Sequence, residues 1–247
     1  MDLGLNGKRA AVAGASAGLG YSTAKALVEA GVSVAICGRD EQRLQEAAAT
    51  LGDGAVAIPA DVGTPEGAIG FVEAAQEAFG GLDILVPNAG GPPPGTFAST
   101  PLDAYRPALD LNLLSTVAMC QTAVPPMQEQ GWGRVVAITS ASVRQPIPNL
   151  ILSNTARAGV TGFLKTLALE VAPDGVTVNS VQPGSHWTDR IRSLGGSRED
   201  AAKRIPVGEI GDPDDFGQVC AFLCSQQARF ITGAALPVDG GNTRGLQ

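Results

Sequence analysis

Residues Ala13-Gly14-Ala15-Ser16-Ala17-Gly18-Leu19-Gly20 have the make-up of a turn that cradles a diphosphate. An apolar run precedes them and a helical pattern follows. Gly14 permits a tight turn, Gly18 lets main chain approach a pyrophosphate, and Gly20 lets a helix pack closely on a strand. The free amides of the helix start, at Gly18, Leu19 and Gly20, then point at the phosphates. Ser16 reads either as a turn residue bonding locally or as a hydroxyl on a phosphate. A glycine turn alone says little; the strand before it and the helix after it give it weight.

The next apolar run ends Ile36-Cys37-Gly38-Arg39-Asp40. An acidic residue at that strand end would bond the ribose hydroxyls of NAD. Gly38 stands there instead and Arg39 follows, so a guanidinium is available for the 2′-phosphate of NADP(H). Asp61, after the third run, has the place to accept from the adenine amino group, or else to initiate a helix. Gly14-Ala15-Ser16-Ala17-Gly18 also fits the G-x-S-x-G elbow of hydrolases. Chain order opposes that reading, since only a short leader precedes Gly14, and a triad would need His186, the one histidine.

Strands are expected at 10–13, 32–37, 55–58, 84–87, 135–138, 176–181 and 234–238. Helices are expected at 19–30, 41–51, 65–79, 101–130, 154–172 and 213–225, with Gly31, Gly80-Gly81, Gly131 and Gly175 at helix ends. The alternation predicts a single α/β domain over residues 1–247, a doubly wound Rossmann-type parallel sheet with helices on both faces. The stretch 188–207 is polar and reads as a flap; Gly240–Gly245 reads as a loose or edge-covering end.

The chain has 247 residues, 44% of them hydrophobic, near the upper size that one core serves. Its net charge of -7, with no basic stripe, argues against nucleic acid as a partner. No apolar run approaches the ~18 residues of a membrane span, and the first residues lack a signal-peptide run, so a cytoplasmic protein is expected. Cys37, Cys120, Cys220 and Cys224 read as buried small hydrophobes, and one histidine makes a His/Cys metal site untenable.

The chain resembles the short-chain dehydrogenase/reductase family over nearly its whole length. The carriers are Gly14/Gly18/Gly20, Asp61-Val62, Asn88-Ala89-Gly90, Asn112, Ser140, Asn179, Pro183-Gly184, Thr188, and the ending Ile231-Thr232-Gly233 with Val238-Asp239-Gly240-Gly241. The resemblance implies strand order 3-2-1-4-5-6-7, a nicotinamide cofactor, and homotetramers or dimers. It implies that Asn88-Ala89-Gly90 lie against the cofactor's ribose and adenine side. Pro183, Gly184, the backbone of His186, and Thr188 would hold the nicotinamide carboxamide. Ser140 would bond the substrate oxygen, and Asn112 would anchor a water in a proton relay.

One part of the family pattern is missing. Its acid/base tyrosine, with a lysine four residues on, falls at Ser153 and Arg157 here; the only tyrosines are Tyr21 and Tyr105. A phenol of pKa ~10 can be lowered toward working pH, whereas an aliphatic hydroxyl is a far weaker acid. Arg157 keeps the positive charge and can hold a ribose, but cannot shuttle a proton. His186 is the one side chain that titrates near neutrality, as a replacement acid or as a ring lining the pocket. The expectation is an NADP(H)-dependent oxidoreductase acting on a carbonyl or alcohol, its proton handled by Ser153, water or His186. The alternatives are an NADP-binding regulatory protein and a non-redox enzyme. Halohydrin dehalogenases, which also resemble this family, carry arginine at the lysine position but keep the tyrosine and lose the glycine turn.

Overall fold

The computed structural model describes residues 2–193 and 197–245. Seven strands form one parallel sheet: β1 (Arg9–Val12), β2 (Ser33–Gly38), β3 (Ala55–Pro59), β4 (Ile84–Val86), β5 (Gly133–Ile138), β6 (Val176–Pro183) and β7 (Ala235–Val238). Their order is β3-β2-β1-β4-β5-β6-β7, with β1 paired to both β2 and β4. Continuous apolar runs become strands here because helices cover both faces, so alternation has no solvent side to serve. Ala10–Val12, Val34–Cys37 and Ile84–Val86 are accordingly shut off from solvent.

The helices are α1 (Gly18–Glu29), α2 (Glu41–Leu51), α3 (Pro65–Phe79), α4 (Tyr105–Leu109), α5 (Ser115–Glu129), α6 (Ile151–Val171), α7 (Asp189–Ser193), α8 (Arg198–Ala202) and α9 (Pro213–Cys224). Leu27, Leu44 and Phe216 anchor α1, α2 and α9 in one core; Phe71, Met119, Met127 and Leu164 anchor α3, α5 and α6 in the other. Side-chain caps start several of them: Asp40 accepts from the Arg43 amide (3.0 Å), Thr64 from Gly67 (3.1 Å), and Asp212 from Asp214 (2.9 Å).

The single helix expected over 101–130 is broken into pieces. A 3-10 turn (Leu102–Ala104) leads into α4, and a wider π-helical turn (Asp110–Leu114) separates α4 from α5. Hydroxyls bond back onto carbonyls at this turn, Ser115 to Leu111 (2.6 Å) and Thr116 to Asn112 (3.1 Å). The widening sits at Asn112, whose side chain is committed elsewhere. The stretch 188–207 holds α7 and α8, with Ile205 buried behind them; residues 194–196 lie outside the described residues. The C-terminal segment is tied down, since Arg244 donates its amide to Gln145 (3.1 Å) and Gly240 accepts from Val207 (3.2 Å).

All four cysteines are free and buried, and no cluster of potential metal ligands occurs among the described residues. No helix among them is long and apolar enough to cross a membrane.

The contact of α1 with α9 tolerates no side chain at Gly217: a Cβ there would lie 2.2 Å from the Ser22 carbonyl oxygen. Gly217→Ala is therefore expected to force the helices apart and cost about 1–3 kcal/mol, as overpacking does. Urea unfolding should show a lowered midpoint at unchanged slope; a wild-type midpoint would contradict this packing.

Candidate active site

The strands all end on one edge of the sheet, and the order reverses between β1 and β4. A cleft opens at that switch point, where dinucleotides bind in open α/β sheets. Gly14 and Gly18 have φ of 57° and 62°, which L side chains rarely adopt. A Cβ on Gly20 would lie 2.5 Å from the Gly14 oxygen and 2.8 Å from Asn88 Nδ2. Asn88 explains that crowding: its Nδ2 donates to the carbonyls of Ala13 and Gly14, both at 3.1 Å. It staples the loop after β4 to the turn after β1. At Ala17, the residue that starts α1, no side chain caps the helix and no acid lies in the first turn. The amides of Gly18, Leu19 and Gly20 are thus left for an anion. These features fit a dinucleotide diphosphate. Thr188 lies over the same turn, its Cγ2 3.7 Å from where a Gly18 Cβ would be.

At the end of β2, Gly38 leaves room for Ser16, whose Oγ is 3.0 Å from where a Gly38 Cβ would be. Arg43 Nη2 donates to that hydroxyl (3.3 Å), so Arg43 joins Ser16 and the exposed Arg39 at one corner of the cleft. Sequence reasoning missed Arg43. Its signal was the spacing, four residues after Arg39 and one helical turn into α2. Asp61 is exposed, and its Oδ1 accepts from the Gly63 amide (2.9 Å), a local turn contact beside buried Val62.

The ends of β4 and β5 meet the first turns of α6. Arg157 is buried, and its guanidinium donates to main-chain carbonyls: Nη1 to Thr139 (3.0 Å) and Ile138 (3.4 Å), Nη2 to Ala89 (3.4 Å). Burial, then repulsion from Arg190, pulls its pKa down to about 10. It is therefore still a cation at neutral pH. Ser153 lies one turn earlier on the same helix, buried and without a hydrogen-bond partner among the described residues. Ser140 lies two residues past β5 and caps a 3-10 turn (Ala141–Val143), accepting from the Ser142 amide (3.1 Å). Asn112 donates from Nδ2 to the Gly90 carbonyl (2.9 Å), while its buried Oδ1 has no partner among the described residues. A closed cavity of about 10 Å³ adjoins it, lined by Asn88, Thr116, Thr139 and Arg157 among others. That space is about what one water occupies, and the lining offers it polar partners.

Past β6, Gly184 packs against Asp239; a Cβ there would lie 2.7 Å from the Asp239 Cα. Pro183 closes the strand. His186 is 4% exposed, its ring edge-on to Phe216 (centroids 5.0 Å apart) and pressed against Gly211. Its Nδ1 is 3.2 Å from the Gly184 carbonyl. Burial lowers its pKa from 6.5, opposed by the Gly184 carbonyl and by Asp212 and Asp215. Arg190, also missed in the sequence, lies on Gly91 at the mouth of the loop after β4.

A family model described as enoyl-(acyl carrier protein) reductase matches residues 14–243. A 3-oxoacyl-(acyl-carrier-protein) reductase of Vibrio cholerae is 35% identical over 242 residues, covering 97% of this chain and 98% of that protein. An L-rhamnose 1-dehydrogenase of Azotobacter vinelandii is 35% identical over 251 residues, with 97% and 98% covered. Among solved structures, an L-sorbose reductase of Gluconobacter frateurii, complexed with NADPH and L-sorbose, superposes with a TM-score of 0.93 at 30% identity, covering 100% of both chains.

The His186 environment makes a pH-dependent contribution to stability. With the folded pKa below 6.5, the unfolded chain takes up the proton first as pH falls. The contribution is complete above about pH 6.5 and is lost as pH falls through the folded value. Thermal melts between about pH 8 and about pH 5 should show a larger acid-side loss for wild type than for His186→Gln. Parallel curves would refute the assignment of a neutral, buried ring.

Proposed function

The chain belongs to the short-chain dehydrogenase/reductase family, and on that premise we propose that it is an NADP(H)-dependent oxidoreductase acting on a carbonyl or alcohol without a catalytic tyrosine. The observation that carries the reading is the uncapped α1 turn, open to a diphosphate, with Ser16, Arg39 and Arg43 at its ribose end. A bound nicotinamide supplies the hydride; the chain binds, orients and handles charge. Asn88, Ala89 and Gly90 border the cofactor's ribose, and Pro183, Gly184, the His186 backbone and Thr188 border the nicotinamide.

Ser140 directs the substrate oxygen through its hydroxyl. Arg157 holds a fixed positive charge behind the reacting carbon, which favours developing negative charge on that oxygen. A pKa of about 10 leaves the guanidinium protonated throughout catalysis, so it acts by charge and not by proton transfer. The proton comes from water. Ser153 is too short and too weak an acid to take the place of a phenol, but its free hydroxyl can relay to a water in the gap. The unpartnered Asn112 Oδ1 fixes a second water behind it. His186, wedged between Gly211 and Phe216, serves by packing and by its backbone, not as the acid. Activated carbonyls need the least acid assistance and are the favoured substrates.

A second reading, an NADP-binding protein with impaired catalysis, draws on the absence of a phenol on α6. NADPH oxidation across a panel of activated carbonyls separates the two. The expected result is slow turnover in wild type, raised about 10- to 100-fold in Ser153→Tyr/Arg157→Lys, the scale of restored acid catalysis. NADPH binding with no oxidation in either protein would favour the second reading.

Cofactor choice has its own test. Arg43→Ala should weaken NADPH about 10- to 100-fold in calorimetric titration and change NADH by less than about threefold, since a charged contact to the 2′-phosphate is lost. Equal weakening of both would show that Arg43 supports the turn and not the phosphate.

A further inference from the structure

Two guanidinium groups converge on the loop after β4, and neither has an acidic partner among the described residues. Arg157 reaches the Ala89 carbonyl from α6 (3.4 Å). Arg190, from α7, lies so close to Gly91 that a Cβ there would sit 2.6 and 2.7 Å from its Nη1 and Nη2. The ion pairs of the described residues occupy Asp83, Asp110, Asp189, Asp200 and Asp214 with other bases. Asp189, next to Arg190 in sequence, is taken by Arg192. Arg157 is buried and Arg190 is exposed at the mouth of the same loop; two like charges placed on one loop repel, and an anion beside them would relieve that repulsion.

The anion has two possible origins in such a site, cofactor or substrate. The diphosphate turn at Gly18 faces Thr188 and not Arg190. Arg190 instead covers Gly91, where the chain leaves the cofactor loop and enters Pro92-Pro93-Pro94. Arg157 shares a helix face with Ser153, one turn away. Arg190 thus lies on the substrate side of the cleft, with Arg157 buried behind the same loop.

We propose that the substrate is an oxo acid, whose carboxylate is gripped by Arg190 while Arg157 sets the field in which its carbonyl is reduced. The planar fork of a guanidinium matches a carboxylate in two-point contact, and the pairing would neutralise one of the two facing charges. The reduction half of this statement rests on the oxidoreductase reading; the anion half does not. Gly91 acquires a reason as well. Any side chain there would push the Arg190 guanidinium away, although the backbone at Gly91 does not itself require glycine.

The test pairs short 2-oxo and 3-oxo acids with their methyl esters as substrates for NADPH oxidation. In parallel, the corresponding hydroxy acids are titrated calorimetrically into the enzyme–NADPH complex, where no hydride can move. Wild type, Arg190→Met and Gly91→Ala are compared, and NADPH affinity is measured for each. In wild type the acids should exceed their esters in kcat/KM by at least about tenfold. Arg190→Met should lower acid turnover and hydroxy-acid binding about 10- to 100-fold, leave the esters unchanged, and leave NADPH affinity intact. Gly91→Ala should reproduce the effect in weaker form. Equal use of acid and ester, or a loss of NADPH affinity in Arg190→Met, would overturn the proposal, the latter by returning Arg190 to the diphosphate. Reduction of esters alone would sink the proposal and leave the oxidoreductase reading standing. Arg190-dependent binding of hydroxy acids with no reduction of any carbonyl would do the reverse. Neither binding nor reduction would remove both.

Discussion

The structure turns on one crossing of main chain. Where β1 hands over to α1, Gly20 passes within contact of the Gly14 carbonyl, and the Asn88 amide bridges the Ala13 and Gly14 carbonyls from the neighbouring strand end. Parallel strands deliver all their carboxyl ends to one edge, but only at the β1/β4 boundary do the connections diverge to opposite faces and leave a cleft. The crossing consumes the Ala13 and Gly14 carbonyls, while the amides at the start of α1 receive no side-chain cap. A helix with no capping side chain and no acid in its first turn is a cost to the free chain and an advantage to an anion.

The same loop that staples the turn also seats the groups that the proposed function assigns to the substrate side. Ala89 accepts from Arg157, Gly90 accepts from Asn112, and Gly91 carries Arg190. Under the proposed function, the cofactor cradle and the substrate cleft would be two sides of four consecutive residues, Asn88 to Gly91. That would couple the diphosphate site to the charge near the reacting carbon without any moving part. The guanidinium at 157 is held by three carbonyls, so its position is set by strand ends and not by a flexible stem. In the proposed site, a fixed fork and a small hydroxyl in place of an ammonium and a phenol would exchange a proton source for a permanent charge and a space. The π-helical turn fits the same economy, because it aims Asn112 at Gly90 and leaves its Oδ1 facing a water-sized cavity.

Much of this was legible in the residues. The strands, the glycine turn and Arg39 follow from local composition and spacing, because a buried parallel strand and a βα turn are short-range signals, whereas the strand order and the places of Ser153 and Arg157 come from the family resemblance. What stayed hidden depended on contacts between distant segments. Arg43 reads as an ordinary helix residue until α2 is placed beside the β1 turn, which brings it to Ser16. Arg190 acquires its neighbour Gly91 from about a hundred residues upstream, in a stretch whose polarity suggested only a surface flap. His186 looked titratable because histidine is titratable; Gly211 and Phe216, which enclose it, lie far downstream. The hydrophobic pattern over 101–130 runs on without a break, so it hides the π-helical turn around Asn112, whose side chain is bound to Gly90.

The account stands or falls on whether the β1–α1 turn holds a pyridine dinucleotide. Titrating the purified wild-type chain with NADPH, and following energy transfer from tryptophan to the nicotinamide, measures this directly. One saturable site per chain, tighter for NADPH than for NADH, is the expected result. A linear, unsaturable signal with both nucleotides would contradict the cradle and every role built on it.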